Sequence, residues 1–245
     1  MTSKPTSGES SSSLKLTVGS GDYTYEVIHD WGRLPDEIRY GNVHGIVEDD
    51  DGFIHVHHTV HETSQSRDST VVFDPDGKFV RSWGADFKGG AHGFHLNKEG
   101  GQEYFYFCDI ERSIVVKMTP YGEEVLRIGY PEESPAYQVT SDGEKPVYKP
   151  TNLAVSPNGD IYVADGYGSS YVIQYDKYGR YVRTFGGPGS EAGKLKCPHG
   201  VICDSRGDQP VILVADRSNN RLQEFSLEGE PVSYTHLTLP TSDLV

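Results

Sequence analysis

Apolar residues in this chain come in short runs, rich in Val, Ile, Tyr and Phe, broken by clusters of Gly, Pro, Asp and Asn. Such runs suit half-buried strands, and no segment carries a sustained helical period. The pattern repeats. A His or Thr is followed eight residues later by a Gly at His44/Gly52, His92/Gly100, Thr151/Gly159 and His199/Gly207. In the third unit the strands are predicted at Thr151–Ser156, Asp160–Gly166, Ser170–Asp176 and Tyr181–Gly186. Between the third and fourth strands a turn closes on glycine each time, as "DPDG", "TPYG", "DKYG" and "SLEG", ending at Gly77, Gly122, Gly179 and Gly229. The fourth strand then ends in an apolar residue plus Gly: Trp83-Gly84, Ile128-Gly129 and Phe185-Gly186. Four-stranded units at a spacing of roughly 40–60 residues describe the blades of a β-propeller. The predicted fold is all-β, with about four blades.

Both ends depart from the repeat. Residues 1–20 read as a Ser-rich disordered tail. "YEVIHDWG", Tyr25–Gly32, reads as a lone fourth strand of the kind that completes a last blade. Residues 21–231 form the partial propeller. From Val232 to Val245 the sequence loses the apolar-Gly ending and reads as a translated sequencing adapter. On this reading the last blades of the parent protein are missing. An insert, Tyr130–Lys149, lengthens the interval between the second and third anchors and is either a surface loop or a lid.

The net charge of −14 argues against a nucleic-acid partner, since phosphate binding needs clustered Lys and Arg. No apolar run approaches membrane-spanning length, and the first residues lack a signal-peptide core, so a cytoplasmic location is the default. The three cysteines, Cys108, Cys197 and Cys203, fit no disulfide framework and are expected to be free thiols.

Equivalent positions in a repeat fold face one shared feature. His44, His92 and His199 share the first position of the innermost strand, with Thr151 in the fourth place. Imidazoles converging on an axis would make a zinc site, three protein ligands with one open position being the catalytic arrangement. The alternative is that His-Gly is a turn preference and the rings bond to neighbours. Near the same mouth lie "ADGYG" and "ADR". Tyr167 could accept a proton and Arg217 could grip a carboxylate. The bland reading makes Asp165 and Asp216 turn residues, packs Tyr167 and places Arg217 in a surface ion pair. "HVHHTVH", with His55, His57, His58 and His61, is either a second metal site or a cluster at the core's edge.

Over about 91–225 the chain resembles the NHL-repeat β-propellers, and among them the catalytic domain of peptidyl-α-hydroxyglycine α-amidating lyase. The likeness is strongest in "PTNLAVSPNGDIYVADGYGSSYVIQYDKYGRYVRTFG" and "CPHGVICDSRGDQPVILVADRSNNRLQEF". It implies a six-bladed parent and a zinc held by His92 and His199. The family's third histidine would fall beyond Val232. It also implies Tyr167 in "DGY" as the active-site tyrosine, Arg217 in "VADR" as the substrate arginine, and a structural calcium on the Phe94 carbonyl. Gly168 stands where the family has a cysteine, so that disulfide is missing. Gly41 and Asn42 stand where a second substrate arginine would be sought. His44 adds a further channel histidine. The implied reaction is zinc-dependent carbon–nitrogen cleavage of a small or peptide-like α-hydroxyglycine. The alternative is a non-enzymatic NHL propeller that binds a protein partner or small ligand on one face. A lactonase-type hydrolase is a third reading, disfavoured because such channels usually hold metal through Asp, Glu and Asn.

Overall fold

The computed structural model describes residues 16–237. Four meandering antiparallel sheets of four strands each follow one another along the chain. Blade one is β3–β6, at Val43–Glu48, Ile54–His58, Thr70–Phe73 and Phe79–Trp83, preceded by a hairpin of β1 (Thr17–Ser20) and β2 (Tyr23–Glu26). Blade two is β7–β10, at Ala91–Glu99, Gln102–Asp109, Ile114–Met118 and Glu124–Ile128. Blade three is β11–β14, at Asn152–Val155, Ile161–Ala164, Tyr171–Tyr175 and Tyr181–Gly186. Blade four is β15–β18, at Pro198–Asp204, Val211–Asp216, Arg221–Phe225 and Pro231–His236. The innermost strands β3, β7, β11 and β15 lie side by side in that order, so the blades fan around one axis.

The core lies between blades. Phe94, Phe105 and Phe107 of blade two pack with Val47 and Trp83 of blade one. Tyr106, Cys108 and Val115 meet Leu153, Ile161 and Ile173 across the next gap. Ala154 and Tyr162 meet Val201, Val214 and Phe225 across the third. Burying these faces is the main drive for stacking the sheets. The glycine after the anchor histidine allows the inner strands to close up. A Cβ on Gly45 would sit 2.5 Å from the Phe94 Cβ, and one on Gly93 would sit 2.7 Å from the Asn152 Cα.

The turn glycines serve the outer rim. Gly77, Gly122, Gly179 and Gly229 all have φ between 79° and 87°, a left-handed conformation that favours glycine. Three of them abut the apolar end of the preceding blade's fourth strand: Gly122 on Trp83, Gly179 on Leu126 and Ile128, Gly229 on Phe185. Gly77 abuts Trp31 in the same way. Trp31 therefore holds the place of a preceding blade's outer strand, as its Trp-Gly sequence suggested. The strand predicted over Tyr25–Gly32 does not form. Its first residues pair with β1 instead, through Val18↔Tyr25 and Thr17↔Glu26, because a two-residue turn supplies a nearer partner.

At the other end, Pro231–His236 pairs antiparallel with β17, with one register shift between Glu224 and Phe225. The sequence reading set this segment apart from the repeat and expected no well-packed, regular fourth strand there. Edge pairing uses backbone groups and needs little from side chains, and every residue of β18 is exposed. Residues 1–15 and 238–245, with most of the predicted tail and the end of the adapter-like segment, lie outside the described residues.

The insert at 130–149 is pinned to the propeller. Tyr137 and Tyr148 are buried in the cluster between blades two and three, with ring centroids 5.9 Å apart. Tyr137 Oη donates to Asp165 Oδ2 at 2.5 Å.

Candidate functional site

Each anchor histidine sits at a β-bulge. The ladder slips between Val43 and Gly45 in β3, between Ala91 and Phe94 in β7, and between Pro198 and Gly200 in β15. A bulge leaves one residue out of the ladder and re-aims its side chain. The three imidazoles turned out in this way meet. His44 stacks on His92 with centroids 4.1 Å apart and planes at 23°. His92 meets His199 edge-on at 5.0 Å. Tyr167 packs on both, 5.1 Å from His92 and 5.4 Å from His199. Its hydroxyl lies 2.9 Å from His199 Nε2. Arg217 completes the group, its guanidinium 5.5 Å from the Tyr167 ring centre and Nη1 3.5 Å from the Tyr167 hydroxyl. All five residues named from the sequence are thus brought together, from four blades.

The electrostatics favour neutral rings. Burial pushes the His92 pKa down to about 4, and nearby His44, His199 and Arg217 lower it further, against the raising effect of its bond to the Thr151 carbonyl. Burial also lowers His44 and His199, the latter with help from Arg217 and His44. Neutral imidazole is the form that ligates a metal. His92 Nδ1 lies 2.5 Å from the Thr151 carbonyl oxygen and must donate to it, so Nε2 keeps its lone pair. That Nε2 is buried and has no partner. The donor chemistry therefore suits zinc. The nitrogens are not gathered for it, however. Among the described residues, no group of three or more His, Cys, Asp or Glu side chains is arranged to hold a metal ion.

Thr151, the non-histidine in the register, is wholly buried and bonds to its neighbours on both sides. Sequence reasoning saw it as a gap. The neighbouring carboxylates hold structure. Asp165 takes the Tyr137 hydroxyl and the backbone N–H groups of Lys149 and Ser169, and burial raises its pKa despite them. Asp216 takes Arg221 Nε at 2.8 Å and the Lys196 N–H. Both therefore follow the bland reading, as turn-stabilising residues.

The histidines of "HVHHTVH" stay apart from this cluster. His57 is buried among Phe87, Phe94 and Phe107, with Nδ1 2.9 Å from Thr70 Oγ1. His55 pairs with Asp49 at 2.8 Å, and His58 Nδ1 accepts the Val60 N–H. His61 bonds to Thr63 at the surface. They form a core-edge cluster.

No family model matches the chain. Among curated proteins it is 28% identical over 169 residues to peptidylglycine alpha-amidating monooxygenase of Rattus norvegicus, covering 66% of this chain and 16% of that one. It is 26% identical over 164 residues to peptidyl-alpha-hydroxyglycine alpha-amidating lyase 2 of Drosophila melanogaster, covering 64% and 38%. To NHL repeat-containing protein 3 of Homo sapiens it is 29% identical over 161 residues, covering 63% and 44%. The chain thus spans less than half the length of each of these relatives. Among solved structures, a streptogramin B lyase superposes with a TM-score of 0.55 at 15% identity, over 83% of this chain and 56% of that one, which speaks for the fold alone. With four bladed sheets around one axis and relatives of these two kinds, the chain is an NHL-type β-propeller that resembles the α-amidating lyase domain.

Proposed function

We propose that the channel cluster is a metal-dependent lyase-type centre that cleaves the C–N bond of an α-hydroxyglycine, releasing an amide and glyoxylate. The observation that carries this reading is the Tyr167 hydroxyl, 2.9 Å from His199 Nε2 and flanked by Arg217. Arg217 offers a planar, permanently charged fork for the substrate carboxylate. It is exposed, so a ligand can reach it. Tyr167, once it has given up its own proton, would take the proton of the substrate hydroxyl as the carbinol carbon becomes a carbonyl. The departing amide nitrogen then recovers a proton, so the reaction is balanced without an external oxidant or reductant. His92, His199 and His44 would hold the metal. Zinc, when bound, supplies Lewis acidity toward the substrate oxygen. The lone pair it would take on His199 is the one that the Tyr167 hydroxyl now meets. The implied calcium, on the Phe94 carbonyl, would be structural.

The test is glyoxylate release from an acyl-α-hydroxyglycine by the purified chain, with and without added zinc and with a chelator. Chelator-sensitive release supports the proposal. A second reading, a ligand-binding propeller without catalysis, is favoured by the NHL-repeat relative and by the absence, among the described residues, of a gathered metal-ligand set. Binding of the substrate analogue at Arg217 without turnover would decide for that reading.

A further inference from the structure

We propose that Thr151 is the positioning residue of this site, setting Tyr167 against His199 through its hydroxyl and fixing the tautomer of His92 through its carbonyl. The inference rests on the lyase-type reading for its chemistry, although its geometry stands apart from it. Thr151 Oγ1 lies 2.8 Å from the Pro198 carbonyl and 3.1 Å from the Ala164 carbonyl, and it accepts the Gly166 N–H at 3.3 Å. Pro198 directly precedes His199, and Gly166 directly precedes Tyr167. One buried hydroxyl therefore holds the backbone immediately before each member of the Tyr167–His199 pair. The approach is close: a Cβ on Gly166 would fall 2.3 Å from the Pro198 carbonyl oxygen and 2.7 Å from Thr151 Oγ1. On the other side, the Thr151 carbonyl faces His92 Nδ1 at 2.5 Å and leaves Nε2 bare toward the other rings.

A fourth histidine in this register could not do the same work. Its ring would enter the channel, and the Pro198 carbonyl and the Gly166 N–H would lose their shared partner. A small side chain carrying one donor and acceptor next to the backbone meets the need, and threonine provides it. Partners one step behind the reacting groups commonly change metal affinity or activity by about 10–100-fold when removed.

The experiment compares the wild type with Thr151→Val, which keeps the shape and loses the hydroxyl, and Thr151→Ser, which keeps the hydroxyl. In metal-free protein labelled with 15N-histidine, ring-nitrogen shifts should show His92 protonated on Nδ1. Adding Tyr167→Phe should move the His199 Nε2 signal in the wild type and in Thr151→Ser, but hardly at all in Thr151→Val. Zinc affinity should fall by about 10–100-fold in Thr151→Val and recover in Thr151→Ser. Thermal melts check that each variant is folded. His92 protonated on Nε2, or a Tyr167→Phe effect undiminished in Thr151→Val, overturns the proposal. Should Thr151→Val not fold, the wild-type hydroxyl proton decides: a slowly exchanging, hydrogen-bonded signal supports the proposal and a freely exchanging one overturns it. If the wild type binds no zinc, the lyase reading falls, while the nitrogen shifts still judge Thr151.

Discussion

Two histidine groups have opposite fates in this propeller. His44, His92 and His199 leave the ladder at bulges and meet in the channel with Tyr167 and Arg217. His57 stays in register on β4, opposite Gly45 and Thr70, and is buried among phenyl rings. Both groups are desolvated and hence neutral. The difference lies in the neighbours: three imidazoles, a phenol and a guanidinium on one side, and apolar rings with one threonine hydroxyl on the other. The lesson is that a ladder slip of one residue separates a chemical position from a packing position.

The largest effect expected from breaking this contrast is on turnover. Tyr167→Phe should cut the rate of glyoxylate release by about 10²–10⁴-fold, the usual worth of a positioned proton acceptor. Metal content, measured by elemental analysis, should stay unchanged. His57→Phe should leave turnover alone. His199→Ala should strip most of the zinc, and the same elemental analysis would show it.

Stability should respond to the other group. The His57 pKa is pushed down to about 3 by burial, from an ordinary 6.5. Below about pH 6.5 the unfolded chain therefore binds a proton that the folded chain refuses. Stability should fall as pH drops through that window, by up to about 1.4 kcal/mol per pH unit from this residue, and should level off near pH 3. Above pH 6.5 His57 adds no slope. Denaturant melts from pH 7 to pH 4 should show a shallower decline in His57→Phe. An equal decline would mean that other groups carry the acid sensitivity.

Arg217→Ala should weaken substrate binding by about 1.5–3 kcal/mol, read as a rise in KM with a smaller change in kcat. The smallest effect is expected at the outer rim. Val232 on β18 is 58% exposed, so Val232→Lys should change the melting free energy by less than about 0.5 kcal/mol. A larger loss would show that β18 packs more firmly than its exposure indicates.

Much of the fold was legible because a repeat reports itself several times over. The third unit's four strands formed within a residue or two of their predicted limits, and each "xxxG" turn closed on a left-handed glycine. The single-copy segments were the hard ones. "YEVIHDWG" placed its Trp-Gly correctly against blade one, yet its strand went to a local hairpin. The insert read as a surface loop or a lid, but Tyr137 and Tyr148 are core residues, because the two flanking blades close around them. In the site, the three histidines could be found from register, whereas Tyr167 and Arg217 needed the ends of the second strands and the family motifs "DGY" and "VADR". Thr151 could not, because a break in the histidine pattern gives no hint of what its hydroxyl and carbonyl touch. The His-Gly pairs did carry an overlooked signal, since glycine inside a strand often marks a bulge.

The sequence by itself determined the all-β class, the four-strand period, the turn chemistry and the shared register of His44, His92, Thr151 and His199. These follow from local backbone preference and the alternation of apolar and polar residues, which act within a few positions of each residue. Only the tertiary structure decided which histidines face one another, that Thr151 bridges blades three and four, and that Asp165 and Asp216 serve the frame and not the channel. Those outcomes depend on contacts between inner strands about 50 residues apart, which exist only once apolar burial between blades has brought the sheets together.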